Sequence, residues 1–333
     1  MRRFLIYIVL FLSGFLVKAQ YVADELGKSF VKRTITMPTD YEGKVVCTLV
    51  KNLENTTSNK AVLYIHGNND YFYQAQMASR FAKAGYRFYA MDLRKYGRSI
   101  LPGQYANNAR DLSDYFADID TANTIIRKEG ATKIVLIGHS TGGLITSVYA
   151  DSKGKNLKFD AMILNAPFFE FNENWFNKQI AAPVVSALGR FFPNMEIAAS
   201  PSTAYGESLH KNYHGEWVFD LQKKHLALGN KRWCWIRAIH VAQTKVHDGL
   251  SIQCPILTLS SDKSIHVGSW NVGYQTADGV LNVKDIQHYS HNLGNNSSLA
   301  IVPGGMHDLV LSKKNVRDAV YREMFRWLSK QRL

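Results

Sequence analysis

The chain has little of what disulfide-stapled or metal-stapled proteins depend on. Cysteine occurs three times in 333 residues, at Cys47, Cys234 and Cys254. That is too few and too irregular for a disulfide framework, and none is near metal-ligand spacing; the chemistry that the motifs imply calls for neither a metal nor an organic cofactor. An oxidising compartment would permit one bridge, Cys234 with Cys254, leaving Cys47 inside a strand; buried free thiols acting as small hydrophobes are the favoured alternative. Internal repeats and low-complexity tracts are absent, so the sequence reads as an ordinary globular protein after its first twenty residues. The formal charge is +13, yet the Lys and Arg residues form no runs and are not interleaved with aromatics. That pattern describes a solvated basic surface and argues against a nucleic-acid partner.

What is present begins with 46% hydrophobic residues, enough for one large α/β domain with an insertion or for two compact domains. At the N-terminus, Arg2 and Arg3 precede an apolar run from Phe4 to Val17, and Val17-Lys18-Ala19 places small or modest residues at a cleavage position. This reads as a secretory signal over 1–19 and an exported, periplasmic or secreted protein, with an uncleaved membrane anchor as the alternative. Removing the segment takes away Arg2, Arg3 and Lys18 and leaves +10.

Residues 29–37 and Lys44–Val50 suggest a first hairpin turning around Pro38-Thr39-Asp40 and Gly43. Ala61–Ile65, Tyr86–Met91, Lys133–Ile137 and Phe159–Asn165 then read as buried strands, with helices expected over Tyr71–Ala84 and Asp111–Lys128. Alternating strand and helix implies a mostly parallel sheet with helices on both faces. Between Asn165 and the strand at Pro255–Leu259 lie about 85 residues without a strand pattern. They hold Trp175, Trp217, Trp233 and Trp235, and Trp175–Leu188 and Ile236–Val246 have helical spacing. The expected organisation is therefore core over 20–167, an inserted helical cap over 168–250, and core again over 251–333. Most of the aromatics are expected to bury the cap against the main domain, and some to shape an apolar pocket. A helix over Lys284–Asn292, a last strand over Ser298–Val302 and a closing helix with Val316, Val320, Met324, Trp327 and Leu328 on its buried face complete the chain.

The organising stretch is Lys133 to Gly143. A β-branched strand runs into Gly138-His139-Ser140-Thr141-Gly142, and helical spacing resumes at Leu144. The turn matches G-x-S-x-G, which holds a serine hydroxyl above a sheet in strained backbone while the glycines let strand and helix approach. Ser140 is the candidate nucleophile, and a plain Gly-rich turn is the bland alternative. His66-Gly67, directly after a central strand, sits where this architecture keeps free backbone N–H groups.

With His66-Gly67, Asp92 to Ser99, Gly138 to Gly143 and Gly304 to His307 in order along residues 45–330, the chain resembles the α/β-hydrolase superfamily. Within it, the resemblance is to monoacylglycerol-lipase and lysophospholipase-like serine hydrolases. It departs at Lys95, where the family usually has Gly, and at Tyr96, often His; these are expected to bear on substrate access more than on mechanism. The resemblance implies a Ser140, His307 and Asp triad in the chain order of this fold. The acid is Asp278, 29 residues before His307 as in the family, or Asp262, which comes soonest after its strand; Asp278 is preferred. Asp308 is the weaker option. Oxyanion donors are expected at the backbone N–H groups of Asn68 and Thr141. The implied substrate is an uncharged or lipid-like acyl ester, and association with a membrane surface stays open. An amidase or peptidase on the same fold stays open too, with Glu170, Glu173, Glu207 and Glu216 as candidate amine-binding acids. A non-catalytic binding protein is the remaining alternative.

Overall fold

A computed structural model describes residues 20–333, and the signal segment expected over 1–19 lies outside the described residues. The first strands are β1 (Val22–Ala23), β2 (Phe30–Asp40), β3 (Gly43–Asn52) and β4 (Lys60–Ile65), followed by α1 (Ala75–Lys83) and β5 (Arg87–Asp92). Next come α2 (Phe116–Lys128), β6 (Lys133–His139), α3 (Thr141–Lys153) and β7 (Ala161–Asn165). The segment after β7 carries α4 (Ala182–Leu188), β8 (Glu196–Ile197), α5 (Ala204–Leu209), β9 (Lys231–Arg232) and α6 (Trp233–Asp248). The chain closes with β10 (Ile256–Ser261), α7 (Val283–Tyr289), β11 (Ser297–Val302) and α8 (Lys314–Lys330).

Nine strands form one sheet in the order β1-β2-β3-β5-β4-β6-β7-β10-β11. From β5 through β11 every pairing is parallel, and the β1-β2-β3 end is antiparallel. Side-chain alternation explains the two-sided core. Leu63 and Ile65 of β4 and Leu136 of β6 face Ile119, Leu144 and Ile239 on one side. Their neighbours Val62, Tyr64 and Ile137 face Phe81, Met324 and Leu328 on the other.

The strand order also places a crevice. β5 lies on one side of β4, and β6 with β7 beyond it on the other, so the connections that follow β4 and β6 run in opposite directions and the loops after these two strands separate. Ligands of open α/β sheets bind at such a switch point, beyond the carboxyl ends of the strands. His66 follows β4 there, and Ser140 follows β6.

Some local expectations shift. α1 begins at Ala75 rather than Tyr71, because Phe72 N–H is drawn to Asp92 Oδ1 (2.9 Å) and Tyr73 N–H to Gln74 Oε1 (3.1 Å), which holds this stretch out of a helix. β2 continues through Pro38 to Asp40, with a register shift between Met37 and Asp40 that accommodates the missing proline N–H. A 3-10 turn at Leu112–Tyr115 precedes α2. The segment between β7 and β10 has helices at 175–188, Ala204–Leu209 and Trp233–Asp248, the short β8–β9 pair, and otherwise irregular chain. Within it Trp235 is buried and Trp217 and Trp233 are half-buried, whereas Trp175 is 71% exposed. Cys47, Cys234 and Cys254 are all buried and free.

Candidate active site

Ser140 sits at φ 52°, ψ −120° between β6 and α3, a region that L side chains rarely occupy. The turn is held by its neighbours: Ser140 N–H donates to Asn165 O (3.0 Å), and Ser140 O accepts from Gly143 N–H (2.8 Å) and Phe168 N–H (3.0 Å). The flanking glycines are demanded by space. A Cβ on Gly142 would stand 2.3 Å from His66 O, and one on Gly138 would stand 2.6 Å from Gly142 O.

His307 lies on the turn after β11, and its Nδ1 is 2.9 Å from Asp278 Oδ2. The other carboxylate oxygen, Oδ1, accepts from Val280 N–H (2.8 Å) and Leu281 N–H (2.7 Å), so Asp278 is fixed at both ends and fully buried. Its position comes from a return of the chain. After β10 the loop leaves and comes back, and Asp278 pairs beside the strand's extension, donating N–H to Lys263 O (2.9 Å) and accepting from Ile265 N–H (2.8 Å). Asp262 is elsewhere: its Oδ1 accepts from Gly304 N–H (2.8 Å) and stabilises the turn leading to His307. Asp308 is buried and turned to Asn165 Nδ2 (2.7 Å) and Gln74 Nε2 (3.2 Å).

His66 acts on the opposite wall. Its Nε2 accepts from Leu93 N–H (3.1 Å), which leaves the proton on Nδ1 to be donated to Gly67 O (2.8 Å). In a trans peptide the C=O and the following N–H point in opposite directions. Holding Gly67 O toward the imidazole therefore turns Asn68 N–H away from it. Neither Asn68 N–H nor Thr141 N–H has a hydrogen-bond partner among the described residues. Both residues, with Ser140 and His307, line one cavity of about 600 Å³.

Four contributors have no sequence motif that would reveal them. His139 and Tyr205 pack their rings on His307, with centroids at 4.9 and 5.6 Å. Burial pushes the His139 imidazole down, against the opposing pull of Asp308, and pushes the Tyr205 phenol well up, so both are neutral. Asn69 clamps the inserted segment with two bonds to His225, from Nδ2 to its O (2.8 Å) and from its N–H to Oδ1 (3.1 Å). Lys231 reaches down from β9 to donate to Asn68 Oδ1 (3.1 Å), and burial pushes its ammonium down to about 8. For Lys231 the only available signal was strand alternation, which two residues are too short to display.

Lys95 and Tyr96 do not line the cavity, which corrects the expectation that they bear on substrate access. Lys95 adopts φ 64° and sends its Nζ to Asp40 (2.7 Å) and Glu42 (3.2 Å) at the β2–β3 turn. Tyr96 packs on the His66 ring with centroids 4.8 Å apart. Among the described residues no cluster of three His, Cys, Asp or Glu side chains is placed to hold a metal ion.

Known proteins resemble the chain in sequence and in fold. A monoacylglycerol lipase of Mycolicibacterium smegmatis is 31% identical over 123 residues, covering 36% of this chain and 41% of that protein. Epoxide hydrolase 4 of Mus musculus is 36% identical over 89 residues, covering 27% of this chain and 23% of that protein. The matches thus span less than half the length of these relatives. Among solved structures, a soluble variant of monoglyceride lipase from Saccharomyces cerevisiae superposes with a TM-score of 0.63 at 16% identity, over 94% of each chain. The monoacylglycerol lipase of Paleococcus ferrophilus gives 0.61 at 15% identity, over 91% of this chain and 100% of that one. The family described as Serine aminopeptidase, S33, matches residues 56–314, from just before β4 to the start of α8. With that match covering over three-quarters of its length, the chain belongs to this family of α/β-hydrolase serine hydrolases.

Proposed function

We propose that the protein is an exported serine esterase that cleaves lipid-like carboxylic esters through an acyl-enzyme on Ser140. The observation that carries the reading is the buried Asp278–His307 contact, which sets His307 into the cavity that Ser140, Asn68 and Thr141 also line. In the reaction, His307 Nε2 takes the Ser140 proton as Oγ attacks the ester carbonyl. Asp278 holds the proton on Nδ1 and balances the imidazolium. The tetrahedral oxyanion receives hydrogen bonds from the N–H groups of Asn68 and Thr141, then collapses to the acyl-enzyme. The alcohol departs with the proton from His307, and water repeats the sequence to release the acid.

An ester is favoured over a peptide with a free amino terminus by the carboxylates on the cavity wall. Asp70 is neutralised by Lys224 at 2.9 Å, and exposed Glu173 bonds to Asn177 Nδ2. Glu170, Glu207 and Glu216 do not line the cavity. The monoacylglycerol lipases among the similar proteins point the same way.

Export rests on the basic and apolar residues of 1–19. Contact with a lipid surface is supported by apolar side chains exposed together in sequence along the inserted segment, Trp175, Phe176, Phe191, Phe192 and Met195. Among the described residues no helix is long and apolar enough to cross a membrane. Labelling with a fluorophosphonate followed by mass spectrometry tests the reading. Label is expected on Ser140, with acyl-ester turnover lost in Ser140→Ala and amide substrates cleaved far more slowly than matched esters. A folded Ser140→Ala protein that keeps its turnover would refute it.

A further inference from the structure

Three lysines of the described chain are buried. Each carries an ammonium into surroundings that penalise charge unless an acid or hydrogen bonds compensate. Lys95 has Asp40 and Glu42 within 3.2 Å, and Lys224 has Asp70 at 2.9 Å. Lys231 has no carboxylate within 4.0 Å among the described residues, and burial alone accounts for the lowering of its pKa.

Strand pairing sets its direction. Ile197 stands opposite Lys231 and Glu196 opposite Arg232, and consecutive residues of a strand point to opposite sides. Arg232 turns away to Glu42 at 3.0 Å. Lys231 turns into the cavity, where Nζ donates to Asn68 Oδ1 at 3.1 Å and lies 5.1 Å from the Trp235 ring centroid. An ammonium has three donors, and this one uses a single one among the described residues. A purely packing role would be met at lower cost by an apolar side chain of similar length.

We propose that Lys231 is a specificity-determining residue, and that the preferred esters carry an anionic oxyacid group, a carboxylate or a phosphate, close enough to the scissile carbonyl to reach its ammonium. The assignment rests on the esterase reading, in which Asn68 donates to the oxyanion beside Lys231. The group retains its proton at neutral pH, since burial lowers its pKa only to about 8. A charged donor buried in this way binds an anion more strongly than it would at the surface. The wall carboxylates do not compete for it, as Asp70 is held by Lys224 and Glu173 by Asn177.

The test compares two matched pairs of esters on the full chain. The p-nitrophenyl half-ester of glutarate against p-nitrophenyl pentanoate places the charge on the acyl side. Lauroyl lysophosphatidate against monolauroylglycerol places it on the alcohol side, and the two arms separate a carboxylate from a phosphate. The anionic member of at least one pair is expected to have a kcat/KM about tenfold higher or more. Lys231→Met should lower the ratio of anionic to neutral kcat/KM about tenfold or more, and Lys231→Arg should restore most of that ratio. Turnover of the neutral ester shows that each variant is folded. A parent protein that cleaves neutral esters without preferring either anionic partner overturns the assignment and leaves the esterase reading standing. So does a Lys231→Met variant that loses both members alike or keeps the preference. Label on Ser140 with no turnover of any of the four esters overturns the substrate assignment alone. No label and no turnover overturn both.

Discussion

Replacing Asp278 by Asn separates the two candidate acids by a hydrogen-bond argument. Asp278 Oδ1 faces two N–H donors, Val280 at 2.8 Å and Leu281 at 2.7 Å. In Asp278→Asn the amide oxygen must stay at that position, since an NH2 there would meet two donors head-on. The new NH2 then takes the place of Oδ2, 2.9 Å from His307 Nδ1. To accept from it, Nδ1 must give up its proton, and the imidazole carries its hydrogen on Nε2, where it can no longer accept one from Ser140. Locking a triad histidine in that tautomer costs about 10⁴ in kcat, or about 5.5 kcal/mol of barrier. KM should move little, because the ground-state contacts are intact. Asp262→Asn still offers an oxygen to Gly304 N–H and should keep kcat within about tenfold. Steady-state turnover of a short p-nitrophenyl ester by parent and both variants, with thermal unfolding as the control for folding, decides it. A kcat for Asp278→Asn within tenfold of the parent, or an equal loss in Asp262→Asn, would refute the reasoning.

Other perturbations follow from the same contacts. His66→Ala frees the Gly67 carbonyl and should let Asn68 N–H rotate out of place, so kcat should fall about 10²-fold with little change in KM; unchanged kcat in a destabilised protein would reduce His66 to a packing role. Lys95→Gly relieves a left-handed backbone by about 1–2 kcal/mol but removes a buried cation whose loss costs about 3–5 kcal/mol. Urea unfolding should therefore show a net loss of about 1–4 kcal/mol with turnover unaffected, and a more stable variant would contradict the ion-pair argument. Burial raises the Asp24 pKa, but the hydrogen bond and charge of Arg98 outweigh it and hold the carboxyl below its usual range. A depressed carboxyl stabilises the fold above the unfolded pKa, near 3.9, and that contribution is lost as the pH falls through the folded value. Asp24→Asn should thus be less stable than the parent at pH 7, with the gap closing below about pH 4; a constant gap in urea midpoints would exclude the linkage.

What could be read along the chain was what a few consecutive residues decide among themselves. The β-branched run before Gly138 makes a buried strand, and the spacing of Gly138, Ser140 and Gly142 is required by sterics within one turn, where added Cβ atoms would meet backbone at 2.3–2.6 Å. His66-Gly67 likewise carries its own hydrogen bond and the orientation of the next peptide. Alternating strands and helices specify a doubly covered parallel sheet, because apolar periodicity is local and right-handed crossovers leave little choice.

Other features depended on where the chain returns. Asp262 and Asp278 are equally plain as residues, and only the pairing of Asp278 beside Ser264 puts one carboxylate on His307 and sends the other to Gly304. Tyr71 to Gln74 has helical character by pattern, but Asp92, twenty residues on from Phe72, captures its backbone. Lys95 and Lys231 look alike in sequence. One is neutralised by a hairpin that precedes it by some fifty residues, and the other is turned into a cavity by a two-residue strand pair. Local torsion and sterics act over a turn and are written in neighbouring residues, whereas the partner of a buried charge is selected by contacts distant in sequence, which exist only once the sheet has brought them together.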